Sequence, residues 1–503
     1  MSDRASRVRA TRGGRAVGLL VLLVLLVSAC TGGRGTTPSG SPGTTAPPAP
    51  AAGPAPGPVR PSAAAPIGVK WDWPRFQSFT PYLKSLGGGA TFYELVWCDV
   101  EPKQGQRDWS RIDDVVRSSR AVGASMFLKI RVGGSCWATG GRGGNARGTR
   151  RPKTASAMPQ DLGAYQSFVR AAVQRYAAMG VHEYAIENEV DAPFFWDGTP
   201  QDYERLARLA AAAIRAADPG ARVLDGGLTS TVYGAGIADR LQSQGHGDQA
   251  VAAWQRYYAR RFLKSGSIPR VGSAGELATV LGEPRIRRTL AFVDVTRRLA
   301  ADRVTDAWQL HFYESWDNLP ALLDYLHATL PRSFPVEAWE VGSFWPNGSS
   351  DQQLRAAEVT KVVATLLAGG VRPVIWLPLA YNGDGGGSEL RFGLLDPNGK
   401  VRPAGAAVAD LATAARGATW RPIETGSLSG VGFGRGDQST LVVWSDRGTT
   451  LPAPPAGAKA EARLAAGGAV AWGADGLRLG PQPVRITVGA ALDSVLKALA
   501  SPG

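Results

Sequence analysis

The sequence predicts an α/β fold, a (β/α)8 TIM barrel followed by a small antiparallel β-sandwich-like C-terminal domain. Short apolar runs alternate with amphipathic helical stretches from residue 67 to residue 415, which is typical of parallel strands joined by helices. No Gly-rich phosphate-binding turn follows the first strand, which argues against an open doubly wound sheet. After residue 416 the chain changes to short strands punctuated by Gly and Pro.

Eight short apolar runs are the predicted barrel strands. They cover residues 67–71, 90–97, 125–132, 181–186, 222–225, 306–311, 334–339 and 373–377. Between them apolar residues recur at helical spacing, as in Tyr165, Phe168, Val169, Ala172, Val173 and Tyr176. Eight strand–helix units predict that residues 67–415 close into a barrel.

The C-terminal region, residues 416–503, contains further short alternating runs. The predicted strands cover residues 430–434, 439–444, 460–464, 469–472 and 484–488. Alternation with turn residues favours a small antiparallel domain packed on the side of the barrel.

The N-terminus has the features of an export signal. Arginines precede an apolar run over residues 16–27, which is too short to span a bilayer and suits a signal-peptide core. The sequence Val27-Ser28-Ala29-Cys30 resembles a bacterial lipobox, which implies a signal peptide over residues 1–29 and a lipid on Cys30. An ordinary secretory peptide with an incidental cysteine is the alternative. Residues 30–66 form a Pro/Gly/Ser/Thr/Ala-rich linker, so we expect a protein tethered to the outer face of the cytoplasmic membrane.

Two cysteines remain once Cys30 is assigned to the lipid. Cys98 and Cys136 each follow a predicted strand in consecutive units, and the exported compartment allows a bridge to persist. A disulfide between these two loops is the prediction, with two free thiols as the alternative.

Charge and composition limit the classes of partner that the protein is expected to bind. The formal net charge is +14, of which the signal peptide contributes four, and no basic motif interleaved with aromatic residues predicts nucleic-acid binding. No metal-ligand cluster or nucleotide loop predicts a cofactor, and we expect a monomer.

Fifteen tryptophans are many for this length, and tryptophan faces stack on sugars. Trp97, Trp137 and Trp376 are equally compatible with core positions and with walls of a sugar site.

Two glutamates stand at the ends of predicted strands. Glu189 follows the fourth strand and Glu340 ends the seventh, so closure of the barrel brings both to the cavity at the carboxyl ends of the strands. A pair of carboxyl groups delivered in this way is what a glycosidase needs, one as acid and one as nucleophile. Glu187 is a possible alternative acid, whereas Glu337 lies earlier in its strand and is expected to pair inside the barrel.

Several motifs resemble those of clan A glycoside hydrolases, the retaining (β/α)8 glycosidases. The matching segments, in chain order, are residues 92–109, Asn188-Glu189, His311-Phe312-Tyr313, Glu340-Val341-Gly342, Trp376 and the closing turn over residues 392–403. The resemblance implies that Glu189 is the acid/base and Glu340 the nucleophile. It also implies that Asn188 binds the sugar 2-hydroxyl, that Tyr313 orients Glu340 beside His311, and that Trp376 is a sugar platform.

The sequence departs from the clan at one position. Many members carry an arginine on the second strand that steadies the nucleophile, and here Phe92-Tyr93-Glu94 occupies that stretch. Arg131, at the end of the third strand, is a candidate substitute. The departure keeps open a second function, a catalytically silent glycan-binding or envelope-scaffold lipoprotein, beside the retaining hydrolase. A transglycosylase that uses the same residues is a third.

Overall fold

A computed structural model of the chain describes residues 62, 64–71, 76–143, 155–262, 268–343, 351–380, 393–454 and 458–500. All eight predicted barrel strands are present, with bounds within two residues of those expected. They are β1 (Ile67–Val69), β2 (Ala90–Val96), β3 (Ser125–Arg131), β4 (Glu183–Ile186), β5 (Arg222–Leu224), β6 (Trp308–Phe312), β7 (Val336–Val341) and β8 (Val374–Trp376).

The barrel strands form two parallel four-stranded sheets, ordered β1-β8-β7-β6 and β2-β3-β4-β5. Isolated parallel bridges join their edges, between Leu224 and Ala307 on one side and between Ala65 and Gly89 on the other. The strands therefore follow one another in the cyclic order of a (β/α)8 barrel. Inward-facing apolar side chains, including Phe92, Phe127 and Trp339, fill the interior, as expected of a packed barrel.

Helices alternate with these strands. They are α1 (Phe76–Ser85), α2 (Trp97–Val100), α3 (Ser110–Ala121), α4 (Leu162–Ala177), α5 (Pro200–Ala217), α6 (Val232–Ser243), α7 (Gly247–Tyr257), α8 (Ala274–Gly282), α9 (Pro284–Ala301), α10 (Leu319–Thr329), α11 (Gln352–Ala368) and α12 (Pro403–Ala415). Helix α4 begins where Asp161 accepts a hydrogen bond from the Ala164 amide, and it buries the six apolar residues predicted from their spacing. The long connection between β5 and β6 contains α6 to α9.

The C-terminal region is antiparallel, as predicted. Its strands are β9 (Thr419–Thr425), β10 (Leu428–Arg435), β11 (Gln438–Trp444), β12 (Thr449–Leu451), β13 (Ala460–Leu464), β14 (Ala469–Val470), β15 (Leu477–Leu479) and β16 (Val484–Val488), followed by α13 (Leu492–Ala500). Six strands form one sheet in the order β14-β13-β16-β11-β10-β9, and β12 pairs only with β15. The expected sandwich-like second sheet is replaced, in the described residues, by this two-stranded ribbon and α13, which share a core with the large sheet.

Helix α11 lies between the barrel and the C-terminal sheet. It contacts β8 on one side and β9 and β10 on the other, and twelve of its seventeen residues are buried. The ammonium of Lys361 donates to Asp446 over 2.8 Å and lies over the ring of Trp316. The ring of Trp316 in turn meets that of Trp444 edge-on, at 5.6 Å between centroids.

The predicted signal peptide, Cys30 and residues 30–61 of the linker lie outside the described residues. Within the described part of the chain, no helix combines the length and the apolar character needed to cross a bilayer.

Candidate active site

Glu189 and Glu340 come together at the carboxyl ends of the barrel strands. One oxygen of each carboxyl group and a ring nitrogen of His311 all lie within 4.8 Å of one another. The side chains of Glu189 and Glu340 keep 13% and 11% of their surface exposed, so both can be reached from solvent. The structure thus brings the two carboxyl groups at the predicted strand ends together in one site.

The backbone around Glu189 is unusual. Both Glu187 and Glu189 have positive φ, at 71° and 40°, which is rare for residues with a Cβ. Positive φ in non-glycine residues costs on the order of 1–3 kcal/mol each and tends to occur at functional sites. The two turns send the carboxyl groups of Glu187 and Glu189 to different partners.

Both oxygens of Glu340 accept hydrogen bonds. Lys129 Nζ donates to Oε1 over 2.6 Å, and the Tyr313 hydroxyl donates to Oε2 over 3.0 Å. Burial raises the pKa of Glu340, but the nearby imidazole of His311 and the ammonium of Lys129, with these two hydrogen bonds, outweigh it. The pKa of Glu340 therefore lies well below its ordinary value, and the group is an ionised carboxylate.

His311 is fully buried and connects the two glutamates. Its Nδ1 lies 3.2 Å from Glu189 Oε1 and 3.8 Å from Glu340 Oε2. Its Nε2 lies 2.9 Å from Gln309 Oε1, and Gln309 Nε2 donates to the Asp225 carbonyl. Because the Gln309 amide nitrogen is used in this way, its oxygen faces His311 Nε2 and can accept from it, while Lys129 Nζ, which can only donate, lies 3.3 Å from the same ring nitrogen.

Two glycines, Gly342 and Gly227, leave room for the side chains of Tyr313 and His311. A Cβ on Gly342 would lie 2.7 Å from the ring of Tyr313, and a Cβ on Gly227 would lie 2.4 Å from His311 Nε2. Gly227 also has a φ of 70°, which favours glycine. The glycine of the Glu340-Val341-Gly342 motif thus makes room for the tyrosine that contacts Glu340.

The two neighbouring glutamates, Glu187 after β4 and Glu337 in β7, bind other partners. Glu187 Oε1 accepts from the Val132 amide over 2.7 Å, and its Oε2 lies 3.5 Å from Arg131 Nε. Glu337 forms an ion pair with Arg222 inside the barrel and accepts from the indole of Trp339. Burial raises the pKa of both carboxyl groups against the effect of their arginines.

A cavity of about 420 Å³ opens beside Glu340 and Asn188. Its lining includes Lys70, Phe92, Glu94, Cys98, Arg131, Phe195 and Leu377. Asn188 Oδ1 accepts from Lys129 over 2.6 Å, which fixes the orientation of its amide beside the cavity. The carboxylate of Glu340 borders this cavity, whereas Glu189 is not among the residues that line it.

Of the three tryptophans expected either in the core or in the wall of a sugar site, Trp97 and Trp376 are buried. Trp376 keeps 1% of its surface exposed, and Trp97 packs between the rings of Trp137, Tyr165 and Phe168. Trp137 is half-buried and donates through Nε1 to the carbonyl of Glu101. None of the three is among the residues that line the cavity, where the aromatic side chains are Phe92 and Phe195.

The disulfide between Cys98 and Cys136 is present, with 5.8 Å between the Cα atoms. It joins the segment after β2 to the segment after β3, as predicted. Cys98 lines the cavity, so the bridge lies at the edge of the candidate site.

Two residues of the site were not predicted from the sequence. Lys129 lies in the apolar strand β3, and Gln309 lies two residues before His311 on β6. The suggestion that Arg131 replaces the missing arginine is wrong in the described structure. Arg131 Nη1 donates to Glu94 over 2.7 Å, its guanidinium lies over the ring of Phe195, and Lys129 holds Glu340 instead.

The spacing of Glu189, His311 and Glu340 would suit a metal ion, but the charges around them do not. Lys129 Nζ lies 2.6 Å from Glu340 and 3.3 Å from His311 Nε2, so a second cation would be repelled. We therefore assign no metal site to this cluster.

Comparison with solved structures identifies glycoside hydrolases. A family 39 glycoside hydrolase from the gut symbiont Bacteroides cellulosilyticus WH2 aligns with a TM-score of 0.57 at 16% identity, covering 84% of this chain and 81% of that one. A monomeric β-xylosidase from Caulobacter crescentus CB15 aligns with a TM-score of 0.50 at 13% identity, covering 84% of this chain and 96% of that one. A glucosidase from Croceicoccus marinus aligns with a TM-score of 0.50 at 10% identity, covering 82% of this chain and 92% of that one.

Neither a protein-family model nor a curated protein matches the sequence. At these identities the structural likeness speaks for the fold alone. The chain has the fold of these glycoside hydrolases.

Proposed function

We propose that the protein is a retaining glycoside hydrolase that cleaves O-glycosidic bonds of an oligo- or polysaccharide. The observation that carries the proposal is the approach of Glu189 and Glu340, with oxygens within 4.8 Å, in unlike surroundings. Retaining enzymes place their carboxyl groups about 5–5.5 Å apart, whereas inverting enzymes need about 6.5–9.5 Å to admit a water. The separation supports the retaining geometry.

In the first step, Glu340 attacks the anomeric carbon and the bond to the leaving oxygen breaks. The proton of Glu189 goes to that oxygen, so the aglycone leaves as a neutral alcohol. Glu340 is suited to attack because it is ionised and because Lys129 and Tyr313 hold one oxygen each. Asn188 accepts from the same ammonium as Glu340 and lines the cavity, from which its amide would reach the sugar.

In the second step, a water attacks the glycosyl ester, Glu189 takes the water's proton and Glu340 departs as a carboxylate. His311 assists the exchange because its Nδ1 faces Glu189 while its Nε2 is committed to Gln309. Either the Glu189 carboxyl donates to Nδ1, or the protonated imidazole donates to the carboxylate. The proton that this pair holds before the first step goes to the leaving oxygen, and the water returns a proton to the pair in the second step.

The sugar is proposed from the solved structures alone. They include a β-xylosidase and a glucosidase, so xylosides and glucosides are the first substrates to test. We further propose that the enzyme is a monomer, tethered outside the cytoplasmic membrane through a lipid on Cys30. That location is supported by the lipobox-like sequence.

The test is covalent trapping. Dinitrophenyl 2-deoxy-2-fluoroglycosides of xylose, glucose, galactose and mannose would be incubated with the exported domain, and intact mass and peptide mapping would locate any adduct. We expect one glycosyl adduct on Glu340 and turnover of the matching nitrophenyl glycoside. Glycan binding without an adduct or turnover supports the silent scaffold instead. Products longer than the substrate support the transglycosylase.

A further inference from the structure

Lys129 occupies a costly position. It lies in β3 between buried apolar residues, and 0% of its side chain is exposed. Removing an ammonium from water is unfavourable unless the charge is paired and its donors are used. A lysine kept at such a position therefore calls for partners that compensate its charge.

The partners of Lys129 come from two distant parts of the chain. Its ammonium donates to Asn188 Oδ1, after β4, and to Glu340 Oε1, on β7, over 2.6 Å in each case. The same nitrogen lies 4.4 Å from the centroid of the Phe92 ring, on β2. One buried charge thus links the residue beside the acid/base to the nucleophile and rests on an aromatic face.

No other described cation holds a Glu340 oxygen by a hydrogen bond. The position opposite Lys129 on β2 is Glu94, which cannot supply a positive charge. Arg131, the next residue on the same face of β3, is engaged by Glu94 and Glu187. The groups that face Glu340 are Lys129 from β3, His311 and Tyr313 from β6, Glu189 from the end of β4 and Glu94 from β2.

We propose that Lys129 is the positioning residue that fixes Glu340 and Asn188 relative to each other, replacing from the third strand the arginine that other clan members carry on the second. This inference rests on the proposed function. Lys129 keeps Glu340 ionised before attack. When water cleaves the glycosyl ester, the negative charge returns to Glu340, and the ammonium of Lys129 stabilises that departing carboxylate.

The test compares three variants at Lys129 with a matched control. Lys129→Met removes both charge and donors, Lys129→Gln keeps donors without charge, and Lys129→Arg keeps the charge. Lys361→Met is the control because Lys361 is another buried lysine with one carboxylate partner, Asp446, and belongs to the interface with the C-terminal sheet. Thermal unfolding, fluoro-sugar labelling and the pH profile of kcat/KM for the best nitrophenyl glycoside are measured for each.

We expect Lys129→Met and Lys129→Gln to lose about 10²-fold or more in kcat/KM, the size of effect seen when one preorganised charged or polar group is removed. Their acid limb should move to higher pH, because Glu340 loses its counter-charge. Lys129→Arg should keep the acid limb of the wild type, and Lys361→Met should keep both rate and profile.

The proposal is overturned if folded Lys129→Gln keeps the wild-type acid limb and loses less than about threefold in rate. If Lys129→Met is recovered only unfolded, the Gln and Arg variants decide the question, since each retains hydrogen-bond donors. A wild-type protein that shows neither adduct nor turnover would instead refute the proposed function, and the role of Lys129 with it. The two failures are therefore separate results.

Discussion

The Nδ1 atom of His311 lies 3.2 Å from Oε1 of Glu189, while its other ring nitrogen is committed to Gln309. Nδ1 thus faces the proposed acid/base. This relationship predicts how the proton for the leaving group is handled.

Replacing His311 with Asn should slow glycosides with poor leaving groups more than activated ones. Dinitrophenolate departs without a proton, whereas an alkyl alcohol requires one, so loss of the proton-sharing partner affects mainly the second class. We expect a selective loss of about tenfold to a hundredfold, within the range of general acid catalysis. A plot of log kcat/KM against leaving-group pKa measures it, and an equal loss for all leaving groups would indicate a purely structural role.

Substitution of each proposed catalytic glutamate by Ala should lower kcat by at least about 10²–10⁴-fold, but azide should separate their roles. In Glu189→Ala, azide attacks the glycosyl enzyme and gives a glycosyl azide of retained configuration. In Glu340→Ala, azide replaces the nucleophile and gives the inverted product. NMR of the products checks the assignment, with Glu461→Gln on the surface as control. Exchange of the two outcomes would reverse the roles.

Acid should remove stability that depends on Glu340. Its pKa is lowered in the folded protein from an ordinary value of 4.5, so its ion pairs contribute fully above that pH and are lost as the pH falls towards the folded value. Glu340→Gln should be less stable than the wild type near pH 7, and the difference should shrink as the pH falls from 4.5 to about 2. Urea unfolding at several pH values measures it. A constant difference would show that Glu340 is not an ionised partner of Lys129.

Arg131 should matter for folding more than for the nucleophile. Arg131→Met leaves Glu187 buried without its counter-charge, which typically costs about 3–5 kcal/mol of unfolding free energy. The surface pair of Arg117 and Asp114 provides a control, because Arg117→Met should cost less than about 1 kcal/mol. Denaturant titration compares the two, and equal small effects would contradict the buried ion pair.

The disulfide should stabilise the barrel by restricting the unfolded chain. Cys98 and Cys136 are 38 residues apart, and a loop of that length corresponds to about 4 kcal/mol in the chain-entropy model. The double variant Cys98→Ser/Cys136→Ser should lose about that amount in a urea titration. Retained stability with two alkylatable thiols in the wild type would show that the bridge does not form.

The sequence was most informative where function and strand geometry coincide. Glu189 and Glu340 were found because parallel strands place reactive groups at their carboxyl ends, and the eight strands were visible as apolar runs. Lys129 was not found, because β3 is buried on both faces and lacks the alternation that tells inward from outward residues. The tryptophans could not be resolved, since the same residue type serves in cores and in sugar sites. Strand β9 was missed because most of its residues are exposed and its pattern is polar.

The position of α11 bears on where this protein can be divided. It is covered by the barrel on one side and by the C-terminal sheet on the other, and the carboxylate partner of Lys361 is Asp446, in the turn after β11. A chain that stops at residue 415 would expose the apolar outer face of α11 and remove Asp446, the carboxylate partner of Lys361. The C-terminal sheet therefore acts as part of the outer wall of the barrel, and the two regions defined by sequence pattern should fold and unfold together.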